Sequence, residues 1–193
     1  MAAAVILPPG TRFSIRIDDS KRLTARQRSC AFQAIFECAE VGFGIVSAED
    51  IDRCNILQAT LRAMREALRS LPPPSADCAL IDGPIAPKVS LPCRPIIRGD
   101  QRSLSIACAS IMAKVLRDRL MTFYDRLCPH YHFRRHAGYG TALHARQLRL
   151  HGPSVFHRRS FKPIMATLET SDHSGQSHGL LAASMGDAVG APA

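Results

Sequence analysis

Cys78-Ala-Leu-Ile-Asp82-Gly83 and Arg94-Pro-Ile-Ile-Arg98-Gly99-Asp100 are two short apolar runs, each reaching a carboxylate beside a glycine. Length, apolar content and bounding turn residues predict a buried strand from each, with Asp82 and Asp100 at the two strand ends. A helical pattern follows from about Ser103 to Leu127, rich in small residues (Ala107, Cys108, Ala109, Ser110, Ala113) that let a helix lie close against a sheet.

Upstream, the pattern repeats with different members. Ala2-Ala-Ala-Val-Ile-Leu-Pro8 is a continuous apolar run, as in a strand covered on both faces. Thr24 is placed to cap a helix to about Glu40, with Ala31, Phe32, Ile35, Phe36 and Ala39 on its inner face. Val41-Gly-Phe-Gly-Ile-Val-Ser47 alternates large residues with glycine, the mark of a strand that another backbone or a ligand approaches closely. Ser47-Ala-Glu-Asp50 opens a helix whose apolar spacing (Ile51, Ile56, Leu57, Leu61, Met64, Leu68, Leu71) continues to the stop at Pro72-Pro73-Pro74, with a break expected near Asn55. Strands alternating with helices predict an α/β fold with a mixed sheet flanked by helices.

Beyond His130 the chain turns basic and aromatic, and a short helix is expected from Thr141 to His151. Residues 1–165 are read as one domain. Residues 166–193, which mix Ser, Gly, His, Ala and Pro without periodicity, are read as a disordered tail.

The 193 residues carry a formal charge of +9. Because Glu169, Asp172 and Asp187 are the charged residues of 166–193, the preceding part carries +12. Such a charge favours a polyanionic partner, nucleic acid foremost. No apolar run approaches the roughly 20 residues of a bilayer span, and the apolar start is too short and lacks the basic lead-in of a secretory signal. The seven cysteines are odd in number, form no Cys-x-x-Cys pair and lie mostly in apolar runs, so buried free thiols and a reducing, cytoplasmic compartment are expected.

Two acids at neighbouring strand ends can converge on a divalent cation with a preference for oxygen, Mg2+ or Mn2+, and two such ions serve phosphodiester hydrolysis. The bland alternative is that each is an ordinary loop acid at a glycine turn. Asp118, four residues after Lys114, reads as an ion pair. His130, His132, His136 and His144 lack cysteine or acidic partners at zinc spacing. Beside Arg134 and Arg135 they read instead as part of a basic face meeting phosphates, or as a solvated surface. Tyr139, between Gly138 and Gly140, offers a ring and hydroxyl to a sugar or base, or simply covers core. Ser20 with Lys21, and Arg98 with Arg102, are candidate phosphate contacts or solvated polar groups.

These segments occur in a recognisable order: Asp19-Ser-Lys-Arg-Leu23, Asn55-Ile-Leu-Gln-Ala-Thr60, Ile81-Asp-Gly83, Gly99-Asp100 and Ser105-Ile-Ala-Cys-Ala-Ser-Ile-Met-Ala-Lys-Val-Leu-Arg-Asp118. With His136-Ala-Gly-Tyr-Gly-Thr141 and Gly152-Pro-Ser-Val-Phe-His-Arg-Arg-Ser-Phe161, they make the chain closely resemble bacterial ribonuclease HII from about residue 1 to 165.

The resemblance implies an RNase H-like fold with a small C-terminal helical region. It also implies metal-dependent cleavage of RNA in RNA–DNA hybrids and at single ribonucleotides in duplex DNA, leaving a 3′-hydroxyl and a 5′-phosphate. Asp82 and Asp100 match two of the family's four metal-binding carboxylates. Tyr139 matches the tyrosine that reads the ribose at the junction. A cytoplasmic monomer acting on hybrid or ribonucleotide-containing duplex is expected, with Mn2+ or Mg2+ as cofactor and no membrane.

Two departures stand out. The family's first strand, Asp-Glu-Ala-Gly-Arg-Gly, precedes the apolar strand, whereas here Met1 begins after it; an incomplete metal site, an unpaired edge beside Ala2–Leu7 and a start codon placed too late are therefore expected. Ala137 stands where the family usually has lysine. Two other readings follow: a hybrid-binding module without catalysis, and a general basic DNA-binding protein indifferent to ribose.

Overall fold

The computed structural model describes residues 1–73, 76–161 and 164; the expected tail at 166–193 lies outside the described residues. Strand β1 is Ala2–Ile6, helix α1 Ala25–Cys38, strand β2 Glu40–Gly44 and helix α2 Ala48–Arg69. Strand β3 (Ala79–Asp82), strand β4 (Cys93–Ile96) and a 3-10 turn at Gly99–Gln101 lead into helix α3, Leu104–Leu127. A second 3-10 turn (Pro129–Tyr131) and helices α4 (Phe133–His136) and α5 (Ala142–His151) form the small C-terminal region.

The caps follow the sequence. The Thr24 hydroxyl accepts from Gln27 N while the Gln27 side chain accepts from Thr24 N, a closed capping box for α1. Ser47 Oγ accepts from Asp50 N at the start of α2. The break expected near Asn55 is present: this residue has φ +67 inside α2, and its Oδ1 accepts from Gln58 N to restart the helix.

β1 pairs with β2 antiparallel, from Ala2 opposite Gly44 to Ile6 opposite Glu40, while β3 pairs with β4 in parallel. The expected mixed sheet is thus present among the described residues as two two-stranded pieces. The edges of β1 and β3 that face away from their partners line one cavity of about 500 Å³, floored by Ser105, Ala109 and Ala113 of α3 and flanked by Met64 and Leu68 of α2. The unpaired edge expected beside Ala2 therefore exists. It also corrects the expectation of a strand covered on both faces, since β1 is only half-buried except at Ala4.

The main core joins α1, α3 and the inner face of β1–β2 through Leu23, Ala31, Phe32, Ile35, Cys108, Ile111, Met112 and Val115. One expected core position is corrected. Phe36 stacks on Phe32 but is itself exposed. In α2 the buried face is Ala59, Ala63 and Ala67, with Ile56 and Leu57 exposed. The reason lies in β2. A Cβ on Gly44 would collide with the Ala63 carbonyl, and one on Gly42 with that of Ala67, so α2 lies so close to the strand that only alanine fits between. The cysteine expectation is also corrected, because only Cys108 is buried, its thiol pushed up to about 12 by burial, and Cys30, Cys38 and Cys78 are exposed.

Candidate active site

The two acids come together through one tight turn. After β4 the chain enters a left-handed conformation at Arg98 (φ +53) and then the 3-10 turn, with Ser103 N donating to Gly99 O at 2.8 Å. Gly99 N donates to Asp82 Oδ1 at 2.8 Å, so the strand end carrying Asp82 is bonded to the turn carrying Asp100. A side chain at Gly99 would press into Ile106 of α3 and against the Asp82 carboxylate.

A third carboxylate, absent from the candidates read from sequence, stands behind them. Asp19 is buried; its Oδ1 accepts from Lys21 N at 2.9 Å, and its Oδ2 accepts from the Gln101 side chain at 3.3 Å. The first bond is an Asx-type turn, a signal legible in Asp19-Ser-Lys21. The second, across 82 positions, had none. The Asp100 carboxyl is pushed above the ordinary range, first by burial and then by the negative charges of Asp82 and Asp19, while Lys21 opposes this. A crowd of carboxylates that raises the proton affinity of one member is also one whose repulsion a divalent cation relieves.

The donors are hard oxygens, the type that Mg2+ and Mn2+ prefer. Among the described residues, however, no three such side chains converge as a metal-binding group. The set fits the cation in kind and is short in number.

The remaining candidates divide. Ser20 is buried with Oγ 2.9 Å from Ser110 Oγ of α3, so its hydroxyl already has a protein partner, whereas Lys21 is exposed. Arg98 and Arg102 are exposed on either side of the Asp100 turn. Lys114 pairs with Asp118 at 2.6 Å, as expected. Tyr139 is 59% exposed and, among the described residues, no hydrogen bond joins it to the acidic group. Its ring lies under the Arg117 guanidinium of α3 at 5.9 Å, and Arg117 also donates to Ala137 O at 2.9 Å.

The histidine expectation is corrected for two members. His136 and His144 are buried rather than on a basic face, and His157 joins them. Asp52 of α2 was likewise not anticipated; it accepts from the backbone N–H groups of Arg159 and Ser160, tying the basic loop to the broken helix.

Solved structures define the class first. The fold is similar to the ribonuclease H2 of Pyrococcus horikoshii (TM-score 0.64, 19% identity, 80% of this chain and 81% of that one). It is also similar to Bst-RNase HIII determined with Mn2+ (TM-score 0.55, 15% identity, 81% and 59%). This is the RNase H2-type α/β fold. The family model for ribonuclease HII matches residues 1–164. The chain is 49% identical to the ribonuclease HII of Chlamydia pneumoniae over 166 residues, covering 85% of this chain and 76% of that protein. It is 48% identical to that of Chloroflexus aggregans over 179 residues, covering 90% and 84%. The chain belongs to the ribonuclease HII family. Among the described residues no helix is long and apolar enough to cross a membrane.

Proposed function

We propose that this chain is an endoribonuclease that cuts the RNA strand of RNA–DNA hybrids, and single ribonucleotides embedded in duplex DNA, with Mn2+ or Mg2+, in the reducing cytoplasm. The observation that carries the reading is the bond from Gly99 N to Asp82 Oδ1, which sets the strand-end carboxylate beside the turn that presents Asp100. Family membership supplies the reaction class.

Asp82 and Asp100 would hold the cation, whose chemistry in phosphodiester hydrolysis is to supply a nucleophilic water and to stabilise the leaving 3′-oxygen. Asp19 stays out of direct ligation in this reading. It fixes the 3-10 turn through Gln101 and orients the loop that brings Lys21 to the site. Lys21, Arg98 and Arg102 are free to meet phosphates as exposed cations. Ser20, with its hydroxyl on Ser110, holds that loop to α3. Tyr139 presents ring and hydroxyl to the ribose at the junction, where the 2′-hydroxyl distinguishes RNA from DNA. Residues 1–165 act as the catalytic domain.

Two divalent ions carry +4, and Asp82 with Asp100 balance half of it. The shortage supports a second reading, a module that binds hybrid without cutting it. Both are tested by offering the 193-residue chain a DNA duplex with one ribonucleotide, in Mn2+ and then Mg2+. A chimera carrying the N-terminal Asp-Glu strand of a relative is assayed beside it. Cleavage by the chimera alone supports an enzyme needing those added carboxylates. Binding without cleavage by either supports the second reading. Cleavage by the short chain at the chimera's rate removes the charge argument.

A further inference from the structure

The C-terminal region holds a chain of histidines whose ring nitrogens are all engaged. His136 Nε2 lies 2.8 Å from Tyr131 O, and its Nδ1 accepts from Gly138 N at 3.1 Å. His144 Nδ1 lies 2.9 Å from Tyr139 O, and its Nε2 lies 3.0 Å from His157 Nε2. His157 Nδ1 accepts from Ser154 N at 3.0 Å and meets Ser154 Oγ at 2.8 Å. The rings of His136 and His144 stack at 4.3 Å, and Phe133 and Tyr131 close the cluster.

The partners dictate where each proton sits. A carbonyl only accepts, so His136 donates from Nε2 and His144 from Nδ1. His144 Nε2 is then an acceptor, His157 donates to it from Nε2, and His157 Nδ1 accepts from the Ser154 hydroxyl. One arrangement of neutral rings satisfies every bond.

Two of the ring bonds fall on the two sides of Tyr139, Gly138 N before it and Tyr139 O after it, beside the backbone bonds from Tyr139 N to His136 O and from Thr141 N to Tyr139 O. Gly138 has φ +78 and Ala137 φ +47, so the approach to Tyr139 passes through two consecutive left-handed residues. At Ala137 such a backbone persists only where its surroundings determine it, and the histidines, with Arg117 donating to Ala137 O, are those surroundings. We propose that His136 and His144 are positioning residues for Tyr139, and that His157 with Ser154 keeps the His144 proton on the nitrogen facing Tyr139 O. This rests on Tyr139 as the group that touches the ribose.

The experiment separates the clamp from the rest of the chain of bonds. An Asn amide can reproduce the Nδ1 position of histidine and a Gln amide the Nε2 position. His144→Asn therefore keeps a donor for Tyr139 O and loses His157, and His144→Gln does the reverse. The readout is the ratio of affinities, with EDTA present, for a duplex containing one ribonucleotide and the same duplex all in DNA. Thermal stability is recorded for each variant. The expected result is that His144→Asn retains the ratio while His144→Gln lowers it about fivefold to tenfold, towards the value of Tyr139→Ala, at similar losses of stability.

If both His144 variants keep the parental ratio while Tyr139→Ala abolishes it, the positioning role is overturned and the reading of Tyr139 stands. If Tyr139→Ala leaves the ratio unchanged, the reading of Tyr139 fails and this inference with it. A parent without ribose preference overturns the proposed function itself. Should the variants not fold, long-range proton–nitrogen NMR of the parent chain decides. A proton on His144 Nε2 instead of Nδ1 overturns the inference.

Discussion

The acidic group at the split sheet and the histidine chain of the C-terminal region are both clusters of titratable side chains, built in opposite ways. At the sheet, burial and then the negative charges of Asp82 and Asp19 push the Asp100 carboxyl above the ordinary carboxylate range. Among the histidines every ring nitrogen meets a protein partner, and burial holds His144 and His157 below the ordinary imidazole value. An unbalanced cluster calls for a ligand from outside; a saturated one has no lone pair left to offer and can only hold its neighbours. The residue types alone do not distinguish them, because histidine and aspartate are both metal ligands.

The sharpest way to break this contrast is at Asp100. Asp100→Asn is expected to lower cleavage of a ribonucleotide-containing duplex by more than about a hundredfold in any form of the chain that cuts. Affinity for the uncut duplex should remain within about threefold. Unchanged cleavage would return Asp100 to the status of a loop acid.

Acid comes next, and it should strike the histidines. Burial, then the neighbouring His144, hold His157 at about 4 in the folded chain against 6.5 in a free ring. Between those values the unfolded chain binds more protons, so stability falls as the pH drops below about 6.5 and the loss levels off near 4. His157 alone accounts for on the order of 3 kcal/mol across that window. Thermal melts at pH 7.5 and 5 read most of this effect while leaving ordinary carboxylates ionised. A melting temperature that does not move, or rises, would show that the rings are not held neutral.

Ser154→Ala removes the hydroxyl that donates to His157 Nδ1 but keeps the backbone donor. A loss of about 1 kcal/mol is expected by chemical denaturation. The smallest effect lies outside both clusters. Lys114 and Asp118 form an i,i+4 pair on the partly exposed side of α3, so Asp118→Ala should cost no more than about 0.5 kcal/mol. A larger loss would show that α3 relies on this pair as well as on its buried face.

Where a signal is local, the sequence carried it. Thr24 and Ser47 cap the helices they were expected to cap, and Asn55 breaks α2 where a short helix meets a long one. Gly42 and Gly44 mark a close backbone approach, though which helix approaches was not legible. The spacing of large apolar residues in α2 showed a helix but not which face it buries. The tight fit against β2 admits only the alanines. His136 and His144 were misread because neighbouring arginines made the segment look like surface, and burial depends on Tyr131, Phe133 and Leu148 closing over it.

By itself the sequence determined the order of strands and helices, their caps and breaks, and the two acids at the ends of apolar runs. Each of these is written in residues within a few positions of one another, where propensity and periodicity act. Only the tertiary structure decided that Asp19 stands behind Asp100 and that His136 and His144 bond the backbone on either side of Tyr139. Those outcomes depend on bonds such as Gln101 to Asp19 and Gly99 to Asp82, whose partners lie 82 and 17 positions apart. A donor meets such an acceptor only after packing has fixed both, and no local pattern in the chain encodes that meeting.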